Sequence, residues 1–106
     1  MIFLSVEDFF EKADACRKPE RQEELEYARK MKAGDEEARE RLVEGYLPQV
    51  AGYIRASRKE QLGMVLYCAR ALERAVDSFD FFQDSETFVH RLSWALRQAG
   101  TAYSVR

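Results

Sequence analysis

The residues best suited to chemistry lie near the end of the chain. Arg91, Trp94, Gln98 and Thr101 recur at spacings of three and four residues, and at about 100° per residue a helix would gather them within about 80° of arc. That strip would sit about 130° from the centre of an apolar stripe on the same segment, made of Phe88, Leu92, Ala95, Leu96, Ala99 and Tyr103. A guanidinium, an indole, an amide and a hydroxyl turned to solvent together suit nucleic acid. Aromatic rings stack on unpaired bases, amides and hydroxyls reach base edges, and arginine holds phosphate. The alternative is that Trp94 packs against a neighbouring helix and its polar companions are solvated.

Other chemistries lack their parts. His90 is the single histidine and has no Cys or His partner at metal-ligand spacing, and Cys16 and Cys68 form no C-x-x-C pair. No glycine-rich phosphate loop or G-x-S-x-G elbow occurs. The acidic run Asp35-Glu36-Glu37 sits at a helix start, where carboxylates favour the cap and the macrodipole. No nucleophile, base and oxyanion site assemble, so neither an enzyme nor a cofactor is expected.

The elements that must position the strip are all helical. Ser5 with Asp8 forms a capping pair for a first helix reaching about Cys16. Pro19 suits a first turn and predicts a second helix to Lys32, stopped by Gly34. Asp35 caps a third helix, Glu36 to Ser57, which Pro48 should kink or divide near Gly45. After Arg58-Lys59-Glu60 comes the most apolar segment, with Leu62, Val65, Leu66, Ala69, Leu72, Val76 and Phe79 on one predicted buried stripe. It should end near Asp80, and Asp84 or Ser85 should cap the last helix, to about Tyr103. No strand pattern or repeat appears. The expectation is an all-α bundle of about five helices.

Composition agrees. At 106 residues, 46% hydrophobic and 34% charged, the chain has room for one domain with a modest core. No apolar run approaches the roughly 20 residues of a membrane span, and Met1 to Val6 does not read as a secretory signal. Two distant cysteines read as reduced thiols of a cytoplasmic protein. The net charge is −2, but the acidic excess lies in residues 1–45 and residues 46–106 are mildly basic, a polarity that solvated helix faces would also produce.

Two stretches carry a resemblance. Ala33-Gly34-Asp35-Glu36-Glu37-Ala38-Arg39-Glu40-Arg41-Leu42-Val43-Glu44-Gly45-Tyr46-Leu47-Pro48 resembles the start of the region 2 domain of bacterial RNA polymerase sigma factors of the sigma-70 family, where an A-G-D turn opens a helix reading A-R-E-R-L-V-E-G-N-L-P. Ala75-Val76-Asp77-Ser78-Phe79-Asp80 is similar to that family's A-V-E-K-F-D. Phe88, Trp94 and Arg97-Gln98-Ala99 then match its F-x-x-x-x-x-W-W-I-R-Q-A after a one-residue insertion. The resemblance covers residues 25–106 and leaves residues 1–24 as an N-terminal helical extension.

The resemblance implies a transcription-initiation module with two working surfaces. The last helix would contact a −10-type promoter element, preferring single-stranded DNA, through Phe88, Arg91, Trp94, Arg97, Gln98 and Thr101. The apolar helix would dock on the clamp helices of the largest subunit of core RNA polymerase, with Met64, Leu66, Tyr67, Arg70 and Arg74 as the partner-binding set. The chain departs from the pattern at several positions. Polar docking positions of the family have become Gly63, Leu66, Tyr67 and Ala69. Its basic loop is Gln83-Asp84, its second Trp is Ala95, and a preceding Tyr is Arg91. No helix-turn-helix for a −35 element follows, so a stand-alone, divergent module or a fragment is expected. The apolar outer face raises an alternative: a sigma-like domain kept for protein interaction, as a homodimer or with an anti-sigma-like partner, without DNA contact.

Overall fold

The computed structural model describes residues 2–82 and 86–105. Among them the chain is all-α, with six helices and no strand: α1 (Val6–Asp14), α2 (Arg21–Lys32), α3 (Glu36–Gly45), α4 (Leu47–Ser57), α5 (Leu62–Ser78) and α6 (Phe88–Ser104). The count exceeds the expected five because the third helix divides. Pro48 has no N–H for the carbonyl of Glu44, so the chain turns at Tyr46 (φ −106°, ψ 3°) and restarts with Pro48 in the first turn of α4.

The other boundaries follow local chemistry. The Ser5 hydroxyl accepts from Asp8 N–H at 3.0 Å, and the Asp8 carboxylate accepts from Leu4 N–H at 3.0 Å. Pro19 lies outside α2; Glu20 is the N-cap, in a reciprocal capping box with Glu23. Gly34 takes φ +98°, and the Asp35 N–H reaches back to the Lys30 carbonyl at 3.0 Å, a Schellman ending that needs a residue tolerant of left-handed backbone. Asp35 then caps α3 through Glu37 and Ala38 N–H. Thr87, the last residue before the helix, caps α6 by accepting from His90 N–H at 3.2 Å. The expected caps Asp84 and Ser85 lie outside the described residues.

Helices α2 and α3 form one hairpin and α5 and α6 another, with α4 between them and α1 against α4. Arg55 of α4 pairs with Asp14 of α1 at 3.1 Å and lies over the Phe10 ring. Phe3, Phe9 and Ala13 belong to the same buried cluster as Leu42, Ile54, Val65, Leu72 and Leu92. The N-terminal segment therefore shares the core, and a division after residue 24 falls inside α2.

The core face of α5 is turned from the expected one. Met64 and Cys68 are buried, while Leu62 and Leu66 are exposed. Periodicity constrains a stripe to an arc, and tertiary packing chooses within the arc. Here Gly63 lies so close to the Tyr103 ring that a Cβ there would come 2.7 Å from it, which sets α5 on α6 by its Gly63–Met64 flank. The two helices run antiparallel: Tyr67 meets Tyr103 at one end and Phe79 meets Phe88 at the other, with ring centroids 5.5 and 5.3 Å apart.

Candidate nucleic-acid interface

The site is built outward from the start of α6. Phe88 is 2% exposed and joins Tyr46, Phe79 and Phe81 in an aromatic cluster with centroid separations of 4.6, 5.3 and 5.2 Å. It anchors α6 from beneath, so the expectation that Phe88 meets DNA is corrected: no face of the ring is left for a base. The cluster is fastened by a buried polar network. Glu24 is 6% exposed; it accepts from the Tyr46 hydroxyl and pairs with Arg21 at 2.6 Å, and Arg21 donates to the Phe81 carbonyl at 3.0 Å. Burial, with the Glu24 carboxylate beside it, pushes the Tyr46 phenol far above its ordinary range, so it remains a donor. Gln49 of α4 adds bonds to the Val89 carbonyl at 3.0 Å and to Ser93 at 3.2 Å.

Held this way, α6 presents the expected strip. Trp94 is 53% exposed, and Arg97, Gln98 and Thr101 are exposed with it. The Arg97 guanidinium lies 5.8 Å from the centroid of the Trp94 ring, a cation over a π face. Packing splits the strip into two flanks. Trp94, Arg97 and Thr101 form an outer ridge, whereas Arg91 and Gln98 turn toward α5. Arg91 is half-buried: its Nε donates to Glu86 at 2.7 Å, and its guanidinium lies 5.4 Å from the Phe79 ring centroid. Glu86 also faces His90 Nδ1 at 2.9 Å.

Arg91 and Gln98 border a groove between α5 and α6 of about 660 Å³. Its floor is methyl groups, from Ala71 and Ala75 of α5 and Ala95 and Ala99 of α6. Arg70, Arg74 and Arg91 line it with Gln98 and Ser78, and Leu66, Tyr67 and Ala102 close one end. Among the described residues that line it there is no carboxylate. The acids of α5 face elsewhere: Asp77 and Glu73 meet Arg39 of α3 at 2.6 and 3.7 Å. That contact holds the Asp77 carboxyl below its ordinary range, the Arg39 hydrogen bond being the main cause.

The expected partner-binding residues divide in the same way. Met64 is buried, 1% exposed, with its methyl beside Gly100; it is a core residue and is corrected as a surface contact. Leu66, Tyr67, Arg70 and Arg74 are exposed and line the same groove as Arg91 and Gln98. Two sets that the sequence kept apart thus meet on one surface. The alanine floor escaped notice in the sequence because alanine fits core, interface and surface alike; its i, i+4 repeats on both helices were the available signal. Among the described residues no three His, Cys, Asp or Glu side chains gather as a metal set, and no helix is long and apolar enough to cross a membrane. The chain matches no family model, no curated protein and no solved structure.

Proposed function

We propose that this chain is a sigma-factor-like module of transcription initiation, in the cytoplasm, that binds unpaired promoter-type DNA on α6 and has core RNA polymerase as its partner. The observation that carries the reading is the exposed Trp94, backed by Arg97 and flanked by Gln98 and Thr101 on one helix face. An indole half in water, beside a cation, an amide and a hydroxyl, can serve as a stacking platform for an unpaired base. Its neighbours supply amide, hydroxyl and cation. The order and spacing of the motifs in residues 25–106 support the lineage, and the all-α bundle is compatible with it.

Binding would draw on stacking and phosphate contacts, with no covalent step. The test is fluorescence anisotropy with a labelled single strand carrying a −10-type sequence and with its duplex. We expect the single strand to bind more tightly, affinity to fall steeply with salt, and Trp94→Ala to weaken binding by about 1–3 kcal/mol. Equal binding by wild type and Trp94→Ala, or none by either, would end the reading. Co-purification with core polymerase tests the partner.

A second reading is favoured by Leu66, 47% exposed, beside the exposed edge of Tyr67. Large apolar side chains in contact with solvent suit a protein surface, such as a second copy or a regulatory partner. Light scattering separates it: a dimer dispersed by Leu66→Glu supports it, and a monomer in both forms refutes the homodimer.

A further inference from the structure

The groove between α5 and α6 adjoins the Trp94 ridge and shares Arg91 and Gln98 with the α6 strip. Its two α5 cations, Arg70 and Arg74, are exposed, and among the described residues neither side chain has an ion pair or hydrogen bond. They stand one helical turn apart, about 6 Å along the axis. A solvated surface normally mixes charge signs, as the exposed side of α3 does, where Arg41 lies near Glu37 and Glu44. Here the carboxylates of α5 are drawn to the far flank by Arg39, and Arg91 is matched by Glu86, so Arg70 and Arg74 are left as the uncompensated charges over a shallow, methyl-lined trough. Such a trough concentrates anions.

From this juxtaposition we infer that the groove carries the sugar–phosphate backbone of the single strand whose base stacks on Trp94. Arg70 and Arg74 contact successive phosphates, Gln98 reaches the nucleotide between groove and ridge, and the alanine floor lets the chain lie close to both helices. The assignment rests on the nucleic-acid reading of α6 and deepens it. It gives to nucleic acid two cations of α5 that the family resemblance would give to a protein partner. A strand fits better than an acidic helix as occupant. The large apolar side chains of the groove sit together at one end, Leu66 and Tyr67, whereas the cations Arg70 and Arg74 follow them along the α5 side. A docked amphipathic helix is held by large apolar anchors at i, i+3/i+4 and i+7, and between Ala71, Ala75, Ala95 and Ala99 the groove is too shallow to seat them.

The experiment uses the full chain, a fluorescent oligothymidylate 12-mer, and salt titrations of wild type, Trp94→Ala and the double variant Arg70→Gln/Arg74→Gln. Thermal melts check that each variant folds. The double variant should lose about tenfold in affinity at low salt. Its slope of log affinity against log salt should shrink by about 1.4, at about 0.7 per phosphate contact on a single strand. Trp94→Ala should weaken binding and keep the wild-type slope. If Trp94→Ala weakens binding while the double variant binds as wild type with an unchanged slope, the groove assignment is overturned and the α6 reading survives. The same holds if the double variant disperses a protein complex without touching DNA affinity. Absence of binding by wild type removes both.

Discussion

At the residue scale, the two aromatic matches of α6 have opposite fates. Phe88 and Trp94 are six residues apart, so a helix turns them about 120° away from each other. Phe88 lands in the cluster with Tyr46 and Phe79, and Trp94 in solvent. Phe88→Ala should cost about 3–5 kcal/mol of stability in a denaturant melt, as large core truncations do. Trp94→Ala should change stability by no more than about 0.5 kcal/mol and act on DNA binding alone. A Trp94→Ala protein that unfolds like Phe88→Ala would show that the indole is structural. Met64 and Leu66 repeat the lesson on α5: both are apolar, two residues apart, and only packing decided which one is inside.

At the element scale, the caps were legible because their chemistry is local. Ser5, Gly34 and Asp35 each complete hydrogen bonds within a few residues, so the sequence alone marks them. Asp35→Ala should lower stability by about 1 kcal/mol, read as a shifted denaturant midpoint. Thr87 could not be singled out among several capping candidates before α6, since the helix starts where Phe88 meets the aromatic cluster. The Arg39–Asp77 pair joins α3 to α5 and should be sensitive to acid. Asp77 is depressed below its ordinary value of 3.8 in the folded chain. Its stabilising contribution is therefore complete above that value and is lost as pH falls through the lower, folded one. The melting-temperature gap between wild type and Asp77→Asn should be widest near neutral pH and close in acid. A gap independent of pH would detach the pair from stability.

At the scale of the whole molecule, one core joins every helix, so opening any part of it should expose Cys68 only together with the rest. That thiol is fully buried and desolvation pushes it up to about 11, whereas Cys16 is half-buried at the surface. A thiol reagent should label Cys16 in the native protein and Cys68 only at the rate of global unfolding. Early labelling of Cys68 would mean that α5 opens independently.

The sequence by itself determined the helical class, the caps at Ser5 and Asp35, the stop at Gly34, the break near Pro48 and the exposure of Trp94, Gln98 and Thr101, since each depends on the backbone's own hydrogen bonds or on a period of 3.6 residues. The tertiary structure decided the rotation of α5, the burial of Phe88 and Met64, the Glu24–Tyr46 bond across 22 residues, and the meeting of Arg70 and Arg74 with Arg91 and Gln98. The physical reason is that periodicity fixes which residues share a face, and close packing against another helix fixes where that face points.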